Sequence, residues 1–198
     1  MLSEDIRTVV FDLDGTMYDK HGLAKRMVRR LWWCLPLLLT ERLARRTMHQ
    51  HQYASKEAFY NAFFTKMAKR HIWSARMAER WYNRVYIPAM VRLIGKYHRP
   101  RPETLALMAL CREKGLRMAV YSDYGSVEQK LAVLGIDASQ FELLADAPSM
   151  GALKPSEQSA RRVLDLLKAD AATTLFVGDR DDTDGETARR VGARFLKV

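Results

Sequence analysis

Short apolar runs that end in polar residues recur near both ends of the chain and alternate there with amphipathic stretches. Residues 8–11, Thr-Val-Val-Phe, are β-branched or aromatic and predict a buried strand. Apolar residues at three- and four-residue spacing predict helices between such runs. Alternating strands and helices are typical of an α/β fold, so we predict a doubly wound, flavodoxin-like or Rossmann-like parallel sheet. The predicted strands cover residues 8–11, 116–121, 141–145, 173–177 and 193–198, and the predicted helices cover residues 103–114, 126–134, 157–168 and 184–191.

The middle of the chain lacks strand-like alternation and predicts a group of helices. Leu23, Met27 and Leu31 recur at four-residue steps, which places them on one helix face. Ser55 and Ser74 are suitable N-caps for a third and a fourth helix. We expect the prolines within this region to end or bend its helices.

Charge divides the chain at the same places. The formal net charge is +10, yet residues 20–101 hold 19 of the 33 Lys and Arg and only 3 of the 23 Asp and Glu. The remainder of the chain is therefore mildly acidic. A change in composition this sharp indicates two units. We predict a core domain of residues 1–19 and 100–198 and an inserted helical cap domain of residues 20–99.

Composition excludes several classes of protein. With 48% hydrophobic and 28% charged residues, the chain resembles a globular protein. Its longest apolar run, residues 31–39, contains Pro36 and is far shorter than the roughly 20 residues that cross a bilayer. The first residues are acidic and lack an apolar stretch, so we expect no signal peptide. Cys34 and Cys111 have no metal-site spacing and are typical of a reducing compartment, which predicts a cytoplasmic protein.

Polar side chains follow the predicted strands at the points where the strands end. Asp12 and Asp14 come after the first strand, Ser122 after the second, and Asp179 after a later one, while Lys154 lies just before a helix. Ligands of open α/β sheets bind beyond the carboxyl ends of the strands, so these groups are expected to converge. Two neighbouring carboxylates repel each other and need a cation or a shared proton. Mg²⁺ suits oxygen ligands and usually also carries substrate phosphate.

These residues lie in four motifs that resemble those of the haloacid dehalogenase-like hydrolase superfamily, in the same order. Residues 12–16, Asp-Leu-Asp-Gly-Thr, resemble its first motif, DxDGT. Ser122 after a strand resembles the second, Lys154 before Pro155 the third, and residues 178–184, GDRDDTD, the fourth, GDxxxxD. The resemblance covers the two outer parts of the chain, and the family tolerates a helical cap between the first and second motifs. It implies a phosphatase of the phosphoglycolate phosphatase-like type.

The resemblance also implies a role for each residue. Asp12 is expected to be the nucleophile that forms an aspartyl phosphate, and Asp14 the general acid and base. Ser122, the backbone of Asp123 and the ammonium of Lys154 are expected to bind the phosphate. Mg²⁺ is the implied cofactor, with the metal ligands Asp12, Asp14 through its backbone carbonyl, Asp179 and Asp184; Asp184 is alternatively an orienter of Lys154. Dehalogenases of the superfamily lack an acid at the place of Asp14, so its presence favours phosphoryl transfer.

Other functions stay open. A phosphomutase would return the phosphoryl group to a sugar. The basic insert can close over a small phosphorylated metabolite, a lipid phosphate included, or lie on an anionic membrane surface with Trp32, Trp33 and residues 35–39. A peripheral membrane or nucleic-acid-binding protein with a vestigial site is the remaining class, and nucleic acid is the less expected partner. The basic residues considered are Arg26, Arg29, Arg30, Arg45, Arg46, Arg70, Arg76, Arg80 and Arg84, most of them expected to be solvated.

Overall fold

The predicted parallel sheet is present and has its first strand at the centre. The computed structural model describes residues 3–49, 51–69 and 73–198. Within them, five parallel strands lie in the order β3-β2-β1-β4-β5. This order reverses beside β1, which is where open α/β sheets bind ligands. The strands are β1 (Thr8–Phe11), β2 (Arg117–Ser122), β3 (Leu143–Asp146), β4 (Thr174–Gly178) and β5 (Arg194–Lys197).

Both faces of the sheet are covered, because side chains alternate along each strand. Val9 and Phe11 of β1 belong to one apolar core, while Val10 points into another. The second core is closed by α8 (Glu157–Leu167) and α9 (Glu186–Val191). The first is closed by α6 (Pro102–Glu113), α7 (Val127–Leu134) and helices of the middle of the chain. The α/β fold with helices on both faces is therefore confirmed.

Described residues between 20 and 99, here called the helical insert, contain helices only. Ser55 and Ser74 cap their helices as predicted, accepting hydrogen bonds from the backbone N–H of Ala58 and Met77. Pro36 lies in the first turn of a helix, and Pro88 follows a π-helical turn, Tyr82–Tyr86. The helices are α1 (Leu23–Arg30), α2 (Leu35–Met48), α3 (Lys56–Ala68), α4 (Ala75–Trp81) and α5 (Ile87–Tyr97).

The helical insert leaves and rejoins the sheet at one place. Tyr18 pairs with Pro100, and the Arg101 N–H donates to the Met17 carbonyl at 2.8 Å. The apolar core on that side of the sheet continues into the insert without a break. The predicted division into domains at residues 19 and 99 stays a prediction. Arg70, one of the basic residues considered above, lies outside the described residues.

Two elements begin two residues later than predicted, and several other boundaries differ by one residue. The strand expected at residues 141–145 begins at Leu143, after a 3₁₀ turn at Ala138–Gln140. The last helix begins at Glu186 rather than at residue 184, because Asp181–Gly185 form a π-helical turn in which the Arg180 carbonyl accepts two N–H groups. Among the described residues, no helix is both long and apolar enough to span a membrane.

Candidate active site

The carboxyl ends of β1 and β4 bring the first and fourth motifs together. Phe11 and Val177 are paired in register, and the Asp12 N–H donates to the Val177 carbonyl at 2.8 Å. Asp12 therefore directly follows β1, and Asp179 directly follows β4. Gly178 is required here because a Cβ atom at that position would collide with the Asp184 side chain. The backbone thus fixes where these carboxylates lie before any side chain is considered.

Lys154 lies between two of the carboxylates. Its Nζ is 2.7 Å from Asp12 Oδ1 and 2.7 Å from Asp184 Oδ1, and all three side chains are buried. Burial alone would lower the pKa of Lys154, but the charges of Asp12 and Asp184 outweigh it and raise the pKa above its ordinary value. Lys154 therefore stays charged, and Asp184 occupies the place predicted for an orienter of this lysine.

Asp12 is the acid of this site whose pKa is raised. Thr16 Oγ1 donates to Asp12 Oδ2 at 2.9 Å, so each oxygen of the carboxylate accepts a hydrogen bond. Burial raises the pKa of Asp12 to about 7, with Lys154 opposing the rise and Asp184 adding to it. A carboxylate held this far from water needs further positive charge to be fully ionised. A cation bound beside Asp12 would therefore favour its ionised form.

Asp14 is held by three donors. Tyr18 OH donates to its Oδ1 at 2.6 Å, and Ser122 Oγ and Lys130 Nζ donate to its Oδ2 at 2.9 and 2.6 Å. Burial raises the pKa of Asp14, but Lys130 and the two hydroxyls outweigh it, so the pKa lies below its ordinary value. Tyr18, Lys20 and Lys130 were not singled out in the sequence. Lys130 had a signal, because it shares the apolar face of α7 with Leu131 and Leu134.

The acids expected to bind Mg²⁺ converge. Asp12, Asp179 and Asp184 each offer an oxygen within 4.8 Å of the others. The carboxylate of Asp14 is outside this cluster, but its backbone carbonyl lies near Asp179. Lys20 Nζ contacts both groups, the Asp14 carbonyl at 2.9 Å and Asp179 Oδ2 at 2.7 Å. The Lys20 ammonium thus already lies against two of the expected ligand groups. Three carboxylates and a carbonyl are the hard oxygen donors that Mg²⁺ prefers, so the residues fit that ion.

The carboxylates line a pocket with a volume of about 240 Å³; of the predicted phosphate-binding residues Asp123 also lines it, whereas Ser122 and Lys154 are buried and do not. Ser122 is fully buried, its Oγ donating to Asp14 and accepting from the Tyr124 N–H. The Asp123 carboxylate accepts the Lys154 N–H at 2.8 Å, so it anchors the lysine loop rather than facing a phosphate. Arg45, counted among the solvated basic residues, is instead buried: it bonds the Asp123 carbonyl at 3.1 Å and pairs with Glu41.

Comparisons with known proteins agree with this geometry. A phosphoglycolate phosphatase of Neisseria gonorrhoeae is 27% identical over 89% of this chain and 73% of its own length. CbbY of Rhodobacter sphaeroides, solved in complex with phosphate, has a TM-score of 0.67 at 20% identity over 96% of this chain and 84% of its own. A 2-haloacid dehalogenase of Pseudomonas syringae has a TM-score of 0.66 at 18% identity over 97% of this chain and 86% of its own.

The match to a family extends over almost the whole chain. The sequence profile of the haloacid dehalogenase-like hydrolases matches residues 6–192, which includes both outer parts and the helical insert between them. The four motifs, their order and the placement of their residues at the strand ends are consistent with that match. The chain belongs to the haloacid dehalogenase-like hydrolases and is an enzyme of that family.

Proposed function

We propose that the enzyme is a Mg²⁺-dependent phosphatase that hydrolyses small organic phosphate monoesters through an aspartyl phosphate on Asp12. One observation carries the proposal: the oxygens of Asp12, Asp179 and Asp184 converge at the end of β1, with the Lys154 ammonium between two of them. Such a site binds a phosphoryl group by opposing its negative charge from two directions. A divalent ion, when bound, supplies Lewis acidity and charge neutralisation.

The reaction divides into two steps on this chain's residues. Asp12 attacks phosphorus, a P–O bond to Asp12 forms and the ester P–O bond breaks. Asp14 protonates the departing alcohol, and for this it has to take up a proton when substrate binds, because Lys130 keeps its pKa low in the free protein. Asp14 then takes a proton from water, whose oxygen attacks phosphorus and releases inorganic phosphate and the Asp12 carboxylate. Lys154 neutralises charge on the nucleophile and the phosphoryl oxygens throughout. Ser122 holds Asp14 by donating to its carboxylate, and its role as a donor to the phosphoryl group stays a prediction.

Asp14 favours phosphoryl transfer over dehalogenation. The fold does not choose between them, because a dehalogenase and a phosphate-bound protein resemble this chain about equally. A dehalogenase needs no acid two residues beyond its nucleophile, whereas a phosphatase needs one for the leaving alcohol. The relative from Neisseria gonorrhoeae named phosphoglycolate phosphatase supports the same choice.

The test uses purified protein, p-nitrophenyl phosphate and Mg²⁺. We expect turnover that EDTA abolishes and that Asp12→Asn lowers by at least about a thousandfold, because an amide is a poor nucleophile. Asp165→Asn, an exposed position on α8, serves as the matched control and should retain activity. Full turnover by Asp12→Asn would contradict the proposal.

A phosphomutase is the second candidate, and the same assay separates the two. A phosphatase releases inorganic phosphate from a sugar phosphate, whereas a mutase moves the phosphate without releasing it. Binding to anionic vesicles or to nucleic acid with no turnover would favour a vestigial site in a peripheral protein. The cytoplasmic location and the membrane contact stay predictions.

A further inference from the structure

A second cavity adjoins the pocket of carboxylates. It has a volume of about 440 Å³ and lies between α1, α2 and the start of α5. Asp14, Lys20 and Tyr124 line both cavities, so the two adjoin at these residues. Its size falls in the range of roughly 300–1,000 Å³ that is typical of small-molecule sites. Its position beside the reacting groups makes it part of the substrate's space.

The walls of this cavity, here called the apolar cavity, are mostly hydrocarbon. Beyond the junction with the carboxylates they consist largely of Leu23, Met27, Leu38 and Met90 together with further aliphatic side chains of α1 and α2. Two charged residues of α2 also line it: Glu41, which pairs with Arg45, and Arg42, which is exposed to solvent. A charged group placed against the aliphatic side chains loses its hydration without gaining a partner from them, whereas an alkyl chain gains free energy by leaving water. The cavity therefore favours an uncharged, apolar occupant.

The chemistry of the proposed reaction decides which part of the substrate enters. The phosphoryl group must lie against Asp12 and Lys154, and the departing alcohol against Asp14, which protonates it. Asp14 is also one of the three residues at which the two cavities meet. The alcohol part of the ester therefore extends from Asp14 into the apolar cavity.

The rim of the apolar cavity is also apolar and open to solvent. Val28, Leu35 and Leu39 line it while being 43%, 39% and 55% exposed, and Trp32 and Trp33, close by in sequence, are 73% and 59% exposed. A cluster of large apolar side chains left in water marks a binding surface more often than chance. A chain longer than the cavity can thus leave it along these apolar side chains, with the exposed Arg42 beside them.

We propose that the apolar cavity binds the alcohol part of the substrate, and that the enzyme prefers phosphate monoesters of alkyl-chain alcohols to esters whose alcohol carries a carboxylate. This inference rests on the proposed phosphatase function. The lining changes along the two cavities in the same order as the proposed substrate. Cationic and oxygen-rich groups lie at the phosphoryl end, and mostly hydrocarbon lies at the other end.

Binding of stable phosphonates tests the inference without turnover. Calorimetry with methyl-, butyl- and octylphosphonate in the presence of Mg²⁺ should show affinity rising about threefold to fourfold for each added methylene until the cavity is filled. An affinity that does not change with chain length overturns the inference. Because no reaction is required, this result is independent of whether the protein hydrolyses phosphate esters.

A pair of substitutions on one helix locates the effect. Leu39→Glu puts a charge on the rim of the apolar cavity and should weaken octylphosphonate binding by about tenfold while leaving methylphosphonate unchanged. Leu43→Glu, on the same helix α2, 40% exposed and outside that cavity, is the matched control and should change neither. Equal octylphosphonate affinities for the two variants overturn the inference.

Turnover then separates the sources of such an ester. Octyl phosphate free in solution and dodecyl phosphate in phosphatidylcholine vesicles should both exceed phosphoglycolate in kcat/KM if the cavity accepts either source. A preference for the vesicle form alone assigns the substrate to membranes and still supports the cavity. A preference for phosphoglycolate over both alkyl esters overturns the inference, and the phosphatase function survives that outcome.

Discussion

The strand-end site and the helical insert handle charge in opposite ways. At the strand ends, each lysine is paired with a carboxylate within 2.7 Å: Lys154 with Asp12 and Asp184, and Lys130 with Asp14. In the helical insert most basic side chains of α1 and α4 are exposed, and the cavity beside the site is apolar. The difference matches the two proposals made above: residues at the strand ends carry the reaction, and helices of the insert determine which alcohol is accepted.

The largest expected effect comes from the lysine at the centre of the site. Lys154→Met should lower turnover by at least about a thousandfold, because it removes the charge that opposes Asp12, Asp184 and the phosphoryl group. Steady-state kinetics with a generic aryl phosphate measure the loss. The comparison is with Arg80→Gln, an exposed cation of α4 in the insert, which should change kcat/KM by less than about twofold. Similar losses in the two variants would remove the distinction between the regions.

Removing the partner of Asp14 should destabilise the fold. Lys130 is fully buried, so Lys130→Met leaves a largely buried carboxylate without its charge partner and should cost about 3 kcal/mol of unfolding free energy near pH 7. The pKa of Asp14 lies below its ordinary value of 3.8, so this contribution is present above that value and is lost as pH falls through the lower, folded-state pKa. Urea unfolding near pH 7 measures the cost. Gln129→Met, on the exposed face of α7, is the control, and an equal loss there would argue against the ion pair.

Asp12 should behave in the opposite way in metal-free protein. Its pKa is raised from 3.8 to about 7, so the folded state keeps a proton that the unfolded state releases between those values, and stability falls as pH rises through that window. Asp12→Asn removes this penalty and should raise the melting temperature in EDTA more near pH 8 than near pH 5. The corresponding gain in the free energy of unfolding near pH 8 should be of order a few kcal/mol. A gain that does not depend on pH would contradict a buried, raised Asp12.

The smallest effect concerns the ammonium that bonds the expected metal ligands. Lys20 is 42% exposed and contacts Asp179 and the Asp14 carbonyl, so it competes with Mg²⁺ for the same oxygens. Lys20→Met should therefore raise Mg²⁺ affinity by up to about fivefold, the value of an exposed ion pair. Calorimetric titration measures it, and unchanged or weaker Mg²⁺ binding would mean that Lys20 does not compete.

What the sequence revealed depended on how each residue is held. Asp12, Asp179 and Lys154 could be predicted because strand ends and a short motif fix their places in the backbone. Lys20, Lys130 and Tyr18 could not be assigned, since their contacts depend on how α7 and the start of the insert pack against β1. The apolar cavity lies between helices whose relative positions no local pattern specifies. Arg45 could not be told from the solvated basic residues, because its partners Asp123 and Tyr82 are distant in sequence and only Glu41 is near.

The central claim is that the acids at the ends of β1 and β4 bind one divalent ion that serves the reaction. Titration of Mg²⁺ into wild-type protein and Asp179→Asn, followed by calorimetry, tests it most directly, because Asp179 ligates in this account but takes no part in the covalent step. The account predicts a single site in the wild type and at least about a tenfold weaker one in Asp179→Asn. Equal Mg²⁺ affinities in the two proteins would contradict it.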